Sequence, residues 1–213
     1  MPQDERKRQK ALMKKRSKQK AHAQQRARHQ QSTSFSSQML IRRARTFPLL
    51  ECWISSSWEQ ETPGLVEIVV VREQPDGNIC LGLYLVDKLC LGLKNTFART
   101  DVPRSRYKQE INTFFRGEEP VSCPPELAHQ MIYASIEYAA QFGFTPEKDF
   151  ALTEFILAPR GELPEPYNLE FGRNGKPFFI AGPHDNVKRI LTQLEKTAGP
   201  GNFDYLAMVP DMF

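Results

Sequence analysis

The stretch LVEIVVVREQPDGNICLGLYLVD (Leu65–Asp87) decides the fold of this chain. Its first half is rich in β-branched residues, which favour extended strands. Pro75, Asp76 and Gly77 interrupt it, and these residue types supply the backbone angles of a tight turn. An apolar run then resumes at Asn78. Two apolar runs on either side of turn residues predict an antiparallel β-hairpin over residues 65–87. Glycines within and just after the second run indicate a bulge or bend.

Helical patterns follow the hairpin. A helix is predicted over Ser105–Phe115, with Gly117 and Pro120 as the residues that stop it. The longest helix is predicted over Cys123–Phe144, because prolines suit a first turn and Gly143 suits a C-terminal stop. An amphipathic helix with Asp185 or Asn186 as its N-cap is predicted over His184–Thr197.

Two further β elements complete the predicted fold. Asn174-Gly175 is a strong hairpin signal, so Asn168–Gly182 is predicted as a second hairpin. A terminal strand is predicted over Asn202–Val209. Two hairpins, about three helices and a terminal strand indicate a single α+β domain.

The charge is divided unevenly along the chain. The first 46 of the 213 residues have only Asp4 and Glu5 as acids, against fourteen basic residues, which gives them a net charge of +12. The other 167 residues have 15 basic and 23 acidic groups, a net charge of −8. We therefore predict a basic tail over residues 1–46 and an acidic globular domain over residues 47–213. The fourteen basic residues are Arg6, Lys7, Arg8, Lys10, Lys14, Lys15, Arg16, Lys18, Lys20, Arg26, Arg28, Arg42, Arg43 and Arg45.

The tail contains good helix formers but too few apolar residues to bury a helix face. Like charges four residues apart also repel, as at Lys10, Lys14 and Lys18. We expect the tail to be disordered when free or to become helical on a polyanion, with Gln30–Gln38 as a flexible spacer. Lys and Arg neutralise phosphates and release counterions, and aromatic residues for base stacking are absent before Phe35. RNA, and the ribosome in particular, is therefore the expected partner. The alternatives are a solubilising tail, a contact with acidic protein surfaces including its own body, or a nuclear-import signal in a eukaryotic host.

The composition excludes several classes of protein. No apolar run is long enough to span a bilayer, and no apolar segment follows the basic N-terminus as in a secretory signal. The four cysteines form no C-x-x-C pair, so reduced and mostly buried thiols in a cytoplasmic protein are expected. The sequence predicts no cofactor and no metal site, because clustered metal ligands are missing.

Asp87 and Lys94 are the first candidates for chemistry. Asp87 ends an apolar strand, where a carboxylate can bind a metal or act as a base. Lys94 would then stabilise a developing negative charge. The structural alternative is that Asp87 caps a turn and Lys94 pairs with it.

His129, Tyr133 and Glu137 follow one another at four-residue intervals, which places them on one helical face. A His–Glu pair two turns apart binds a metal only if other elements bring further ligands. A polar stripe that bonds to the protein's own backbone explains the same pattern.

Four blocks of the body resemble a group of bacterial proteins in which a Lys/Arg-rich head precedes the same order of blocks. They are YLVDKLCLGLKN (Tyr84–Asn95), LAHQMIYASIEYAAQFGF (Leu127–Phe144), LEFGRNGKPFFIAGPHDN (Leu169–Asn186) and AGPGNFDY (Ala198–Tyr205). The resemblance covers roughly residues 47–209. It implies a bacterial, cytoplasmic origin and carries no activity, cofactor or catalytic residue.

Together these patterns predict a non-enzymatic accessory factor. Its basic tail would bind RNA or another polyanion, and its acidic body would bind a protein or a shaped surface. The alternative is a nuclease or other hydrolase that acts on nucleic acid, with a site that gathers Asp87, Lys94, His129 and Glu137.

Overall fold

The computed structural model describes residues 36–60, 64–115 and 117–207. Contacts divide the chain into two compact units, residues 1–40 and 41–213. The described residues of the first unit, 36–40, are helical, and the helix (α1) covers residues 36–43. The predictions made for residues 1–35, including their disorder, lie outside the described residues.

The second unit is built on a five-stranded antiparallel sheet with the order β4-β3-β2-β1-β5. Its first four strands form a meander, and β5 lies beside β1. The strands are β1 (Leu49–Ser55), β2 (Leu65–Glu73), β3 (Ile79–Asp87), β4 (Gly92–Val102) and β5 (Pro120–Cys123).

The predicted hairpin over residues 65–87 is confirmed. β2 and β3 pair from Leu65 opposite Asp87 to Glu73 opposite Ile79 without a register shift. The chain then bends at Gly92, whose φ is 68°, and returns as β4. The bend agrees with the glycine signal. Gly82 lies in the regular β2–β3 ladder, whereas the β3–β4 ladder shifts register between Ile79 and Leu81 and between Leu85 and Val86.

Helices cover both faces of the sheet. On one face, buried apolar residues of β2 and β3 pack with Ile111 of α2 (Tyr107–Phe114). On the other face α3 (Pro125–Ala140) contacts strands β1 to β4. A sheet covered on both faces needs apolar residues at successive positions, and this explains why β2 reads as a continuous apolar run.

The α+β class is confirmed, and the described residues hold about five helices rather than the three predicted. The two additional ones are α1 and α4 (Phe150–Thr153). The longest predicted helix is shorter at both ends, because Cys123 belongs to β5 and the α-helix ends at Ala140. α5 (Val187–Thr197) begins as predicted, with Asn186 as its N-cap accepting from Arg189 N.

The predicted second hairpin is wrong. Asn174 and Gly175 do form the turn, both with positive φ, but only the bridge between Arg173 and Lys176 flanks it. β6 (Phe178–Ile180) instead pairs in parallel with β7 (Asp204–Leu206). The reason is that the segments on both sides of the turn bond to the β3–β4 turn. Gly172 N donates to the carbonyl oxygen of Lys88 (2.9 Å), and Phe178 N donates to that of Leu89 (3.0 Å). β7 is the central part of the predicted terminal strand.

Residues 41–46 were predicted as tail, but they belong to the second unit. Ile41 and Ala44 are buried, and residues Ala44–Thr46 form a 3-10 turn. The side chain of Arg45 donates to the carbonyl oxygens of Leu157 (3.0 Å) and Glu154 (3.1 Å).

All four cysteines are free and buried, as the sequence predicts. Burial raises the pKa of Cys52, Cys80 and Cys123 to about 12 and raises that of Cys90 further. In the described part of the chain, none of the helices is both long and apolar enough to span a bilayer.

Candidate functional site

Asp87 is buried at the end of β3, where the chain turns toward β4. Its Oδ1 accepts hydrogen bonds from the backbone amides of Leu89 (3.0 Å) and Cys90 (3.1 Å). Burial raises the pKa of Asp87 to about 6, although the charge of Lys94 and these amides oppose the shift. Asp87 therefore fixes the β3–β4 turn, as the structural alternative proposed.

Lys94 does not make the ion pair that the sequence suggested. Its Nζ lies 2.6 Å from Oδ2 of Asp185, and both side chains are largely buried. The same Oδ2 accepts from the backbone amide of Gly182 (2.7 Å). Lys94 thus ties β4 to the loop before α5. Sequence patterns missed this pair because its members are 91 residues apart.

His129, Tyr133 and Glu137 share a face of α3, and this face contacts the segment after α4. Nε2 of His129 donates to the carbonyl oxygen of Ala158 (2.8 Å), and the His129 ring lies 4.5 Å from the Tyr133 ring. Glu137 pairs with Arg160 and is about half exposed. The contacts of this face match the polar-stripe explanation.

The four candidate residues fall into two separate environments. Asp87 and Lys94 lie at the β3–β4 turn, whereas His129 and Glu137 contact residues 158–160. Within the described ranges, no three His, Cys, Asp or Glu side chains are grouped to hold a metal ion. The arrangement of these four residues therefore adds no support for the nuclease hypothesis, which stays a prediction.

Three of the basic residues assigned to the tail are described. Arg42 and Arg45 place their guanidinium groups 5.6 and 5.0 Å from the centroid of the Phe155 ring. Arg43 is exposed. Arg45 helps to hold residues 154–157 in place, so it is a structural residue rather than a free cation. The eleven basic residues between Arg6 and Arg28 lie outside the described residues.

The larger of two notable cavities has a volume of about 700 Å³. It lies between the turn after β1, the β3–β4 turn, α3 and residues 168–175. Trp58, Met131 and Phe171 give it apolar walls. Lys88 also lines it, and its Nζ donates to the carbonyl oxygen of Trp58 (2.9 Å).

A smaller cavity of about 190 Å³ lies on the α3 face of the sheet. Arg72 and His129 line it, together with mainly apolar side chains. Sequence reasoning did not single out Arg72. The signal was available, because Arg72 directly follows a continuous apolar run. Such a run indicates a strand buried on both faces, so its next side chain also faces the interior.

The chain was compared with protein-family models, curated proteins and solved structures, and none of them matches it.

Proposed function

We propose that this protein is a non-enzymatic RNA-associated accessory factor, in which the N-terminal basic segment binds RNA phosphates and the acidic body binds a second component. We propose the ribosome as the RNA-containing partner that this protein binds in the cell.

The observation that carries the proposal is the division of charge along the chain. Residues 1–40 contain eleven Lys/Arg and two acidic residues, and the rest of the chain has an excess of acids. A concentrated positive segment gains affinity for any phosphate backbone by releasing condensed cations. An acidic body is repelled by the same backbone, so it is available for a protein or another partner.

The body's own lysines and arginines support this division of labour. Several of the described ones are committed to internal contacts: Lys94 to Asp185, Arg72 to backbone carbonyls and Lys108 to Glu51. Committed cations contribute less to phosphate binding than free ones do. The affinity for RNA is therefore expected to come from the N-terminal segment.

The test compares two full-length variants with equal loss of charge. The tail variant replaces Lys14, Lys15, Arg16 and Lys18 with Gln. The control replaces Lys148, Lys188, Arg189 and Lys196, which are exposed on the body, also with Gln. The measurement is the affinity for single-stranded RNA over a range of salt concentrations. Each lost phosphate contact lowers the slope of log affinity on log salt by about 0.7, so the tail variant should lose up to about 3 from its slope.

The control variant should keep the slope of the unmodified protein. Equal loss of slope in both variants would assign RNA binding to total charge and contradict the proposal. Sedimentation of a lysate at low and high salt tests the ribosome specifically. The full chain should move with ribosomes at low salt, and its presence only in the soluble top fractions would rule the ribosome out.

A further inference from the structure

The smaller cavity combines an apolar wall with two buried nitrogen-bearing side chains. Leu49, Cys52 and Val70 form its floor on strands β1 and β2, and Leu157 and Leu163 close it from the segment after α4. Its volume of about 190 Å³ exceeds that of a dry cavity that holds benzene, about 150 Å³. The cavity therefore has room for a ligand somewhat larger than a six-membered ring.

Arg72 brings a positive charge to this apolar space. The residue is only 7% exposed. Its Nε donates to the carbonyl oxygen of Ile156 (2.6 Å) and its Nη1 to that of Phe47 (2.8 Å). None of the ion pairs between described residues includes Arg72. A guanidinium has five N–H donors, so several remain for another acceptor.

A buried cation is costly unless an anion compensates it. The two carbonyl oxygens solvate the guanidinium in part, but they carry no net charge. An anion in the cavity would complete the coordination of Arg72. Arginine suits a carboxylate in particular, because its planar donors match the two carboxylate oxygens.

His129 supplies the second polar group. It is 3% exposed and lines the same cavity. Since a carbonyl oxygen only accepts, the bond to Ala158 requires that Nε2 carries the hydrogen. Nδ1 is buried and has no hydrogen-bond partner among the described residues. In this tautomer Nδ1 can only accept, so its missing partner is a hydrogen-bond donor and not a carboxylate.

We propose that this cavity binds a small monocarboxylate with an apolar body, whose carboxylate group is held by Arg72 beside the His129 ring. The apolar body of the ligand lies against the strand residues and the two leucines. This site is independent of the RNA-binding proposal, because it uses only residues of the folded body.

Glu162 provides the sharpest test of the ligand's charge. It lines the cavity, is exposed, and its side chain makes no hydrogen bond or ion pair with a described residue. A carboxylate at the rim repels an anionic ligand and has little effect on a neutral one. Glu162→Gln is therefore expected to strengthen binding of an anion selectively.

The experiment titrates the full chain with sodium hexanoate and, separately, with the neutral hexan-1-ol. Binding is followed by calorimetry and by the NMR resonances of the Arg72 Nε–H and the His129 ring. Hexanoate should shift both resonances and bind about tenfold more tightly than hexan-1-ol, because its hydrogen bonds to Arg72 are charge-assisted. Glu162→Gln should tighten hexanoate binding by about threefold, as expected for the loss of a partly screened repulsion, and leave hexan-1-ol unchanged.

Leu163→Trp is the control for where the ligand binds, because it blocks the cavity. Leu163 is half-buried on a segment without regular structure, so a larger side chain fills the cavity without altering the sheet. This variant should lose both ligands and remain folded. The proposal is overturned if hexanoate shifts neither resonance, if both ligands bind equally, or if hexanoate still binds to Leu163→Trp. Replacement of Arg72 is not used as the main test, because Arg72 also holds Phe47 and Ile156.

Discussion

Asp87 is a carboxyl group whose charge is poorly solvated in the folded protein. Its pKa rises from an ordinary value of 3.8 to about 6 on folding, mainly because the side chain is buried. Between these two pH values the folded state binds more protons than the unfolded state. The contribution of Asp87 to stability is therefore lost as the pH rises from about 4 to 6, and it stays constant above that window.

Asp87→Asn is expected to remove this pH dependence. Asparagine keeps an oxygen that accepts from the amides of Leu89 and Cys90, and it carries no charge to desolvate. The free energy of unfolding of the variant, relative to the original protein, should be higher at pH 7 than at pH 4. A pKa shift of this size corresponds to a difference of up to about 3 kcal/mol in the free energy of unfolding. Urea denaturation at both pH values measures the difference.

Asp76→Asn provides the control for the loss of a turn carboxylate. Asp76 also accepts from a backbone amide, that of Asn78, but it lies in an exposed turn. If Asp87→Asn shows no gain at pH 7 over pH 4 beyond that of Asp76→Asn, burial does not control the titration of Asp87.

The residue types at the candidate site could be predicted, but their partners could not. Asp87 ends a strand, and the amides it accepts from are two and three residues away, so a turn cap was a local inference. The partner of Lys94 lies beyond three helices, α2, α3 and α4, and a long irregular segment. No local pattern specifies that pairing, because it depends on how α5 and its preceding loop pack against β4.

Gly92 controls how closely α3 packs on β4. Its φ is 68°, and a Cβ built on it would lie 2.7 Å from both the Ser135 carbonyl oxygen and the Ala139 Cβ. A side chain would be strained by the backbone and would also push the helix away. Gly92→Ala should therefore lower the free energy of unfolding by about 3 kcal/mol or more.

Gly77→Ala isolates the backbone part of that cost. Gly77 has a φ of 81°, and nothing lies within 4 Å of the position that a Cβ would occupy. This variant should lose only about 1 kcal/mol, since its strain is conformational alone. Chemical denaturation of both variants measures the contrast. Equal losses would show that α3 yields to the added methyl group and that the close approach is not rigid.

The two hairpin predictions differ in outcome for a physical reason. β2 and β3 have long apolar runs that can be buried on both faces of a sheet. The turn between them therefore joins two segments that each form a strand and pair with each other. The Asn174-Gly175 turn also formed, but beyond Arg173 and Lys176 the segments beside it bond to the β3–β4 turn and not to each other. Gly172 N donates to the carbonyl oxygen of Lys88 (2.9 Å), and Phe178 N donates to that of Leu89 (3.0 Å). A turn signal therefore predicts the turn itself and not the strands around it.

At the scale of the whole molecule, the start of the folded unit can be tested by truncation. A chain that begins at Ser36 retains every described residue, whereas one that begins at Phe47 loses Ile41, Ala44 and the hydrogen bonds of Arg45. The burial of Ile41 and the two bonds are together worth about 3 to 5 kcal/mol. The Phe47 chain should lose this amount in urea denaturation, and the Ser36 chain should match the full chain. Equal free energies of unfolding for both truncated chains would show that residues 41–46 do not stabilise the folded body and belong with the tail.

The four buried cysteines allow transient unfolding of the folded body to be measured. Alkylating reagents attack the thiolate, and three of these thiols have pKa values of about 12 with the fourth raised as well. Labelling of the native protein at neutral pH therefore requires that the structure first opens around the thiol. Cys123 lies on the four-residue edge strand β5, whereas Cys80 lies in β3, near the middle of the sheet. The order in which they are labelled separates fraying of one edge from cooperative unfolding of the whole body.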